Sequence, residues 1–159
     1  MVVSMIVRDV MTSEVLTAPP DARLAEVVAT MLDTRIGSVV IVAPDAGARP
    51  GLLGIVTRTD LQVRTRRVPL GYPQVRAPAL LDDWVADAAQ MRDVYRAARD
   101  RRAREVMSSP VITTTPDRSV WDATELMLDE RIGHLPVVEE GRLVGLVTHL
   151  DMLRCMLRD

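Results

Sequence analysis

The chain has 159 residues, of which 48% are hydrophobic, and a formal net charge of −2. This excludes a disordered chain and argues against a dedicated nucleic-acid surface. The lone cysteine, Cys155, rules out an intrachain disulfide or a cysteine-rich metal site, so a reducing, cytoplasmic compartment is expected.

In chain order, residues 1–9 lack the long apolar run of a signal peptide. No later stretch reaches the about 20 apolar residues of a membrane span. Pro20-Asp21 precedes an apolar stripe, Leu24, Val27, Val28, Met31 and Leu32, with the i, i+3, i+4, i+7 spacing of an amphipathic helix. Asp21 is the expected N-cap and Gly37 the expected stop. Val39–Val42 and Leu52–Val56 are short apolar runs that fit strands buried on both faces. Pro44-Asp45-Ala46-Gly47 supplies the turn between them. A second helix is expected after Thr57-Arg58-Thr59-Asp60.

Arg64, Arg66 and Arg67, followed by Pro69, Pro73 and Pro78, then open an irregular connection. From Asp82 or Asp83 to about Ala103 the spacing of Trp84, Ala88, Met91, Tyr95 and Ala98 predicts one more amphipathic helix. This is either a connecting helix packed on the rest or a partner-binding one.

Beyond it the chain repeats. At an offset of 96, Val10-Met11 meets Val106-Met107, Pro20-Asp21 meets Pro116-Asp117, and Arg35-Ile36-Gly37 meets Arg131-Ile132-Gly133. Asp117 and Gly133 are the matching cap and stop. Leu135–Val138, Glu139-Glu140-Gly141 and Leu143–Val147 repeat strand, turn and strand. The register slips where the first copy has the longer turn, and Gly54–Asp60 then meets Gly145–Asp151. One supersecondary unit, short strand, helix, strand, strand, helix, is used twice.

Both copies end in Gly-apolar-Val-Thr-x-x-Asp, where a buried strand hands over to a helix. A single such string is only a helix cap. Two of them suggest a nucleotide site: free N–H groups and a Thr hydroxyl for phosphate, and a carboxylate for ribose hydroxyls. No Gly-rich phosphate loop or nucleophile motif is present, so an enzyme is not expected.

These features together resemble a tandem pair of cystathionine-β-synthase (CBS) domains, a Bateman module. They are Asp9-Val10-Met11 with Glu105-Val106-Met107, the string Arg131–Val138, and the two Gly-x-Val-Thr-x-x-Asp segments. The resemblance implies an α+β fold, an α/β sandwich of two β-α-β-β-α repeats packed sheet to sheet about a pseudo-twofold axis. Repeat one would span 5–66, the linker with its additional helix 67–102, and repeat two 103–159. It also implies a regulatory module, without a catalytic cofactor, that binds AMP, ADP or ATP in two clefts between the repeats. The module would be a homodimer acting on an effector protein in trans. S-adenosylmethionine or NAD as ligand, or a ligand-free interaction and dimerisation module, are the alternatives.

By motif position, cleft one would use Thr57, Thr59 and Asp60 with Met107, Ser109, Ile132, Gly133 and His134. Cleft two would use Thr148 and Asp151 with Met11, Ser13, Ile36, Gly37 and Ser38. A phosphate chain would meet His134 and Arg58 in cleft one but Ser38 and His149 in cleft two, so cleft one is expected to favour ADP or ATP. Cys155, among Met152, Leu153, Met156 and Leu157, is expected to be a plain core thiol.

Overall fold

The computed structural model describes residues 5–44, 51–64 and 101–156. The first repeat runs α1 (Val7–Val10), β1 (Thr17–Ala18), α2 (Leu24–Thr34), β2 (Ser38–Val42), β3 (Leu52–Thr57) and α3 (Arg58–Arg64). The second runs through a 3-10 turn (Ala103–Glu105), then α4 (Val120–Asp129), β4 (His134–Glu139), β5 (Arg142–Thr148) and α5 (His149–Met156). The expected turn at 44–47 and linker helix at 82–103 fall largely outside the described residues. Near the end of that expected helix, Arg102 is extended (φ −98°, ψ 153°) at the cap of the 3-10 turn, so no helix runs through it.

The apolar runs form the expected strands. β2 pairs antiparallel with β3 and β4 with β5, and each pair carries an irregularity at the matching position, Ile41/Val42 and Val137/Val138. β1 adds in parallel to β2 through Thr17↔Val40 and Ala18↔Ile41. Its counterpart in repeat two is a single parallel bridge, Thr114↔Val137. All of β2 is buried, which explains a run without alternation. In the β4–β5 turn Glu140 and Gly141 both have positive φ, 50° and 76°. That is the backbone of a type I′ hairpin, whose twist matches the strands.

Val40, Val42 and Ile55 from one sheet meet Leu143 and Leu146 from the other in one buried cluster. The sheets therefore pack on each other, while α2 and α3 cover one outer face and α4 and α5 the other. Burying aliphatic area on both sides of thin sheets is the main driving force for this arrangement.

Each repeat surrenders its opening segment to the other. Val7 is fully buried in the core of repeat two, with Met127, Leu135 and Val147. Ala103 and Val106 are buried in the core of repeat one, with Leu24, Met31 and Val56. The hydrogen bonds repeat at the offset of 96. Val7 N–H donates to Arg118 O at 2.8 Å and Ala103 N–H to Ala22 O at 2.9 Å. Thr12 pairs with Leu146, and Ser108 with Ile55. The two segments are crossed straps that tie the repeats together.

Two features depart from expectation, and the straps account for the first. Asp21 and Asp117 are not N-caps; the caps are Arg23 and Ser119. Leu24 N–H is instead satisfied by Arg101 O at 2.8 Å and Val120 N–H by Met5 O at 3.0 Å, both on the straps. Asp21 and Asp117 pair with strap arginines, Arg104 and Arg8. The helices also stop before Gly37 and Gly133. The left-handed residues are Arg35 (φ 55°) and Arg131 (φ 54°). Ile36 and Ile132 N–H then reach back to Met31 O (3.1 Å) and Met127 O (3.0 Å), closing a Schellman motif.

Candidate functional site

The two Thr-x-x-Asp segments are built alike. Asp60 Oδ2 accepts from Thr57 N–H at 2.9 Å and from the Thr57 hydroxyl at 2.8 Å. Asp151 Oδ2 accepts from Thr148 N–H at 2.8 Å and its hydroxyl at 2.7 Å. Both carboxylates are buried, at 9% exposure. Antiparallel pairing brings the starts of β2 and β4 alongside, since Ser38 lies opposite Thr57 and His134 opposite Thr148.

The straps complete the surroundings. Met107 lies against Gly54 and Met11 against Gly145. Ser108 Oγ donates to Asp60 Oδ1 at 2.6 Å, and Ser109 Oγ donates to Leu53 O at 3.0 Å. Met107 and Ser109 were legible by motif position, but Ser108, the strap residue that touches the carboxylate, was not. In an extended segment successive side chains alternate in direction, so the residue between two motif positions faces the other way. The hydroxyl at this position in both copies, Thr12 and Ser108, was the available signal.

Of the remaining expected residues, His134 is half-buried and its Nε2 stands 3.1 Å from the point where a Gly37 Cβ would be. The Arg58 guanidinium stands 3.2 Å from the same point. Gly37, grouped by motif with Asp151, thus has Arg58 and His134 as its nearest side chains. Gly133, grouped with Asp60, has the ring of His149, and its carbonyl accepts the His149 N–H at 3.3 Å. Ile132 packs partly against the repeat-two core. Thr59, Ser13 and Ile36 are exposed. Ser38 is buried, and among the described residues its hydroxyl has no hydrogen-bond partner.

Arg58 and His134 set the local electrostatics. Burial pushes the His134 imidazole down to about 4, assisted by the nearby Arg58 and His149 and opposed by Asp151. Burial also lowers Arg58 from its ordinary value. A neutral His134 offers a ligand one donor and one acceptor; the fixed positive charge beside it is the guanidinium of Arg58. Among the described residues no cluster of His, Cys, Asp and Glu has metal-site geometry, and no helix is long and apolar enough to cross a membrane. Cys155 Sγ is half-buried and contacts Asp151 O at 3.1 Å within α5.

A family model described as "CBS domain" matches residues 7–63 and 103–158. The protein MK0525 of Methanopyrus kandleri is 31% identical over 152 residues, which is 95% of this chain and 62% of the relative. The chain therefore spans under two thirds of that relative's length. Among solved structures, CBSX2 in complex with AMP superposes with a TM-score of 0.69 at 16% identity, covering 96% of each chain. The CBS domain pair of MJ0100, in complex with 5′-methylthioadenosine and S-adenosyl-L-methionine, gives 0.68 at 21% identity, covering 97% of each. At these identities the likeness is one of fold.

Proposed function

This chain belongs to the CBS domain family, and on that premise we propose that it is a non-catalytic regulatory module. It binds an adenine nucleotide, AMP, ADP or ATP, in clefts between its repeats and signals to a partner protein in trans. The observation that carries this reading is the pair of buried carboxylates, Asp60 and Asp151. Each is held through Oδ2 by its own threonine and lies at the end of a buried strand. A carboxylate oriented by its N-cap is suited to accept from a ribose cis-diol. The Ser38 hydroxyl at the start of β2 supports it too: it is buried and unpartnered among the described residues, and a polar ligand group there would satisfy it. The fold neighbours crystallised with adenosyl ligands agree in ligand class.

The test is a thermal-shift screen over AMP, ADP, ATP, NAD and S-adenosylmethionine, followed by calorimetry. A ligand that binds only the folded state at 100 times its Kd adds about 2.7 kcal/mol of stability. No shift with any adenosyl compound would overturn the nucleotide reading.

One observation favours the second reading, a dimerisation module. Trp121 and Leu128 on α4 are 69% and 66% exposed, and Leu150 and Leu153 on α5 are 43% and 56% exposed. Large exposed apolar side chains on two helices in contact suit an interaction face. Sedimentation distinguishes the two readings: a dimer that binds no adenosyl compound supports the second alone.

A further inference from the structure

The two carboxylates differ in how their second oxygen is engaged. Asp60 Oδ2 is held by Thr57, and Asp60 Oδ1 accepts the Ser108 hydroxyl at 2.6 Å. Every oxygen of Asp60 therefore already has a donor from within the protein. Asp151 Oδ2 is held in the same way by Thr148, but among the described residues its Oδ1 meets only the exposed guanidinium of Arg154, at 3.6 Å. Thr12, the counterpart of Ser108, pairs through its backbone with Leu146, and among the described residues its hydroxyl makes no bond to Asp151.

We propose that Ser108 is the residue that makes the two clefts unequal toward a cis-diol: its hydroxyl competes for Asp60 Oδ1, so a ribose engages Asp151 first. The inference rests on the nucleotide reading above. The competition is local. Ser108 is fixed by two backbone hydrogen bonds to Ile55, N–H to O at 2.9 Å and O from N–H at 3.1 Å. The strap thus stays in place while the side chain turns about χ1 and frees the oxygen. A hydrogen bond to a charged group must be given up at Asp60 and not at Asp151, which corresponds to about tenfold in affinity. The effect is separate from the charge of Arg58, which acts on phosphates. A ligand with the diol and no phosphate isolates it.

The experiment is calorimetric titration of the full chain with adenosine and with 2′,3′-dideoxyadenosine. The proteins are wild type, Ser108→Ala and Thr12→Ala, with Asp60→Ala and Asp151→Ala assigning the sites. Wild type is expected to bind adenosine at two sites about tenfold apart, the weaker being lost in Asp60→Ala. Ser108→Ala should tighten the weaker site to near the stronger and leave dideoxyadenosine unchanged. Thr12→Ala should change neither site. If wild type binds adenosine but Ser108→Ala leaves the sites unequal, or moves both ligands alike, the role of Ser108 is overturned and the nucleotide reading stands. If neither wild type nor Ser108→Ala binds adenosine or AMP, both fall. A Ser108→Ala that unfolds is replaced by Ser108→Gly, judged by the same outcomes.

Discussion

The thioether of Met107 lies where a side chain on Gly54 would be, and the two residues belong to different repeats. The same contact recurs between Met11 and Gly145. The glycines that open the Gly-x-Val-Thr-x-x-Asp strings are therefore the floor on which the crossed straps lie.

Gly54→Ala should destabilise by about 1–3 kcal/mol, the usual cost of overpacking. Met107→Ala in the same chain should recover part of that loss, because it removes the atoms that collide. Gly145→Ala should be harder to relieve, since its Cβ would also stand 3.2 Å from the backbone oxygen of Thr12. Chemical denaturation of the four proteins in a double-mutant cycle measures the coupling. Strict additivity would show that the contact is not energetic.

Asp60→Ala should lower both stability and ligand affinity. Its carboxylate caps Thr57 and ties down Ser108, and loss of a cap costs about 0.5–2 kcal/mol. Loss of hydrogen bonds to a charged group should weaken AMP binding at that cleft by about 1.5–3 kcal/mol. Titration with AMP beside a denaturation curve separates the two effects. Unchanged affinity with lowered stability would make Asp60 a cap alone.

His134 predicts an acid sensitivity. Its folded-state value is about 4, against about 6.5 for an unfolded histidine. Between these values the unfolded chain binds a proton that the folded chain refuses, so stability is lost as pH falls from about 6.5 to 4 and this loss is complete below. A gap of that size is worth at most about 3–4 kcal/mol. His134→Gln should flatten that part of the profile, as read by thermal melts across the window. The same burial means that His134 is neutral near pH 7 in the free protein, so the fixed positive charge beside Gly37 is that of Arg58.

Arg35 and Arg131 hold left-handed backbone at the ends of α2 and α4, a conformation that costs a non-glycine residue about 1–2 kcal/mol. Glycine gives back roughly 0.4–1 kcal/mol through its freer unfolded chain. Arg131→Gly should therefore raise stability by about 0.5–1 kcal/mol, visible as a higher Tm. A lower Tm would show that the arginine side chain makes a compensating contact.

Much of this molecule is local and was legible in the residues. Val39–Val42 and Leu135–Val138 are apolar without alternation because both faces of their sheets are covered. The stripe on α2 repeats with helical spacing because one face meets the core. The Thr-x-x-Asp caps form within four residues, so their hydrogen bonds follow from spacing alone. The partner of Asp60 did not, and neither did the caps of α2 and α4, because both depend on strap atoms some 50 to 115 residues away, such as Ser108 for Asp60 (|i−j| 48) and Met5 for Val120. The exchange of opening segments lies at the root of these misses. Periodicity states that Val7 and Val106 seek an apolar environment, but hydrophobic burial is non-directional, and the two aliphatic cores are chemically alike. Which core receives which segment is decided only when the sheets pack face to face and leave each strand end open to the strap of the other repeat.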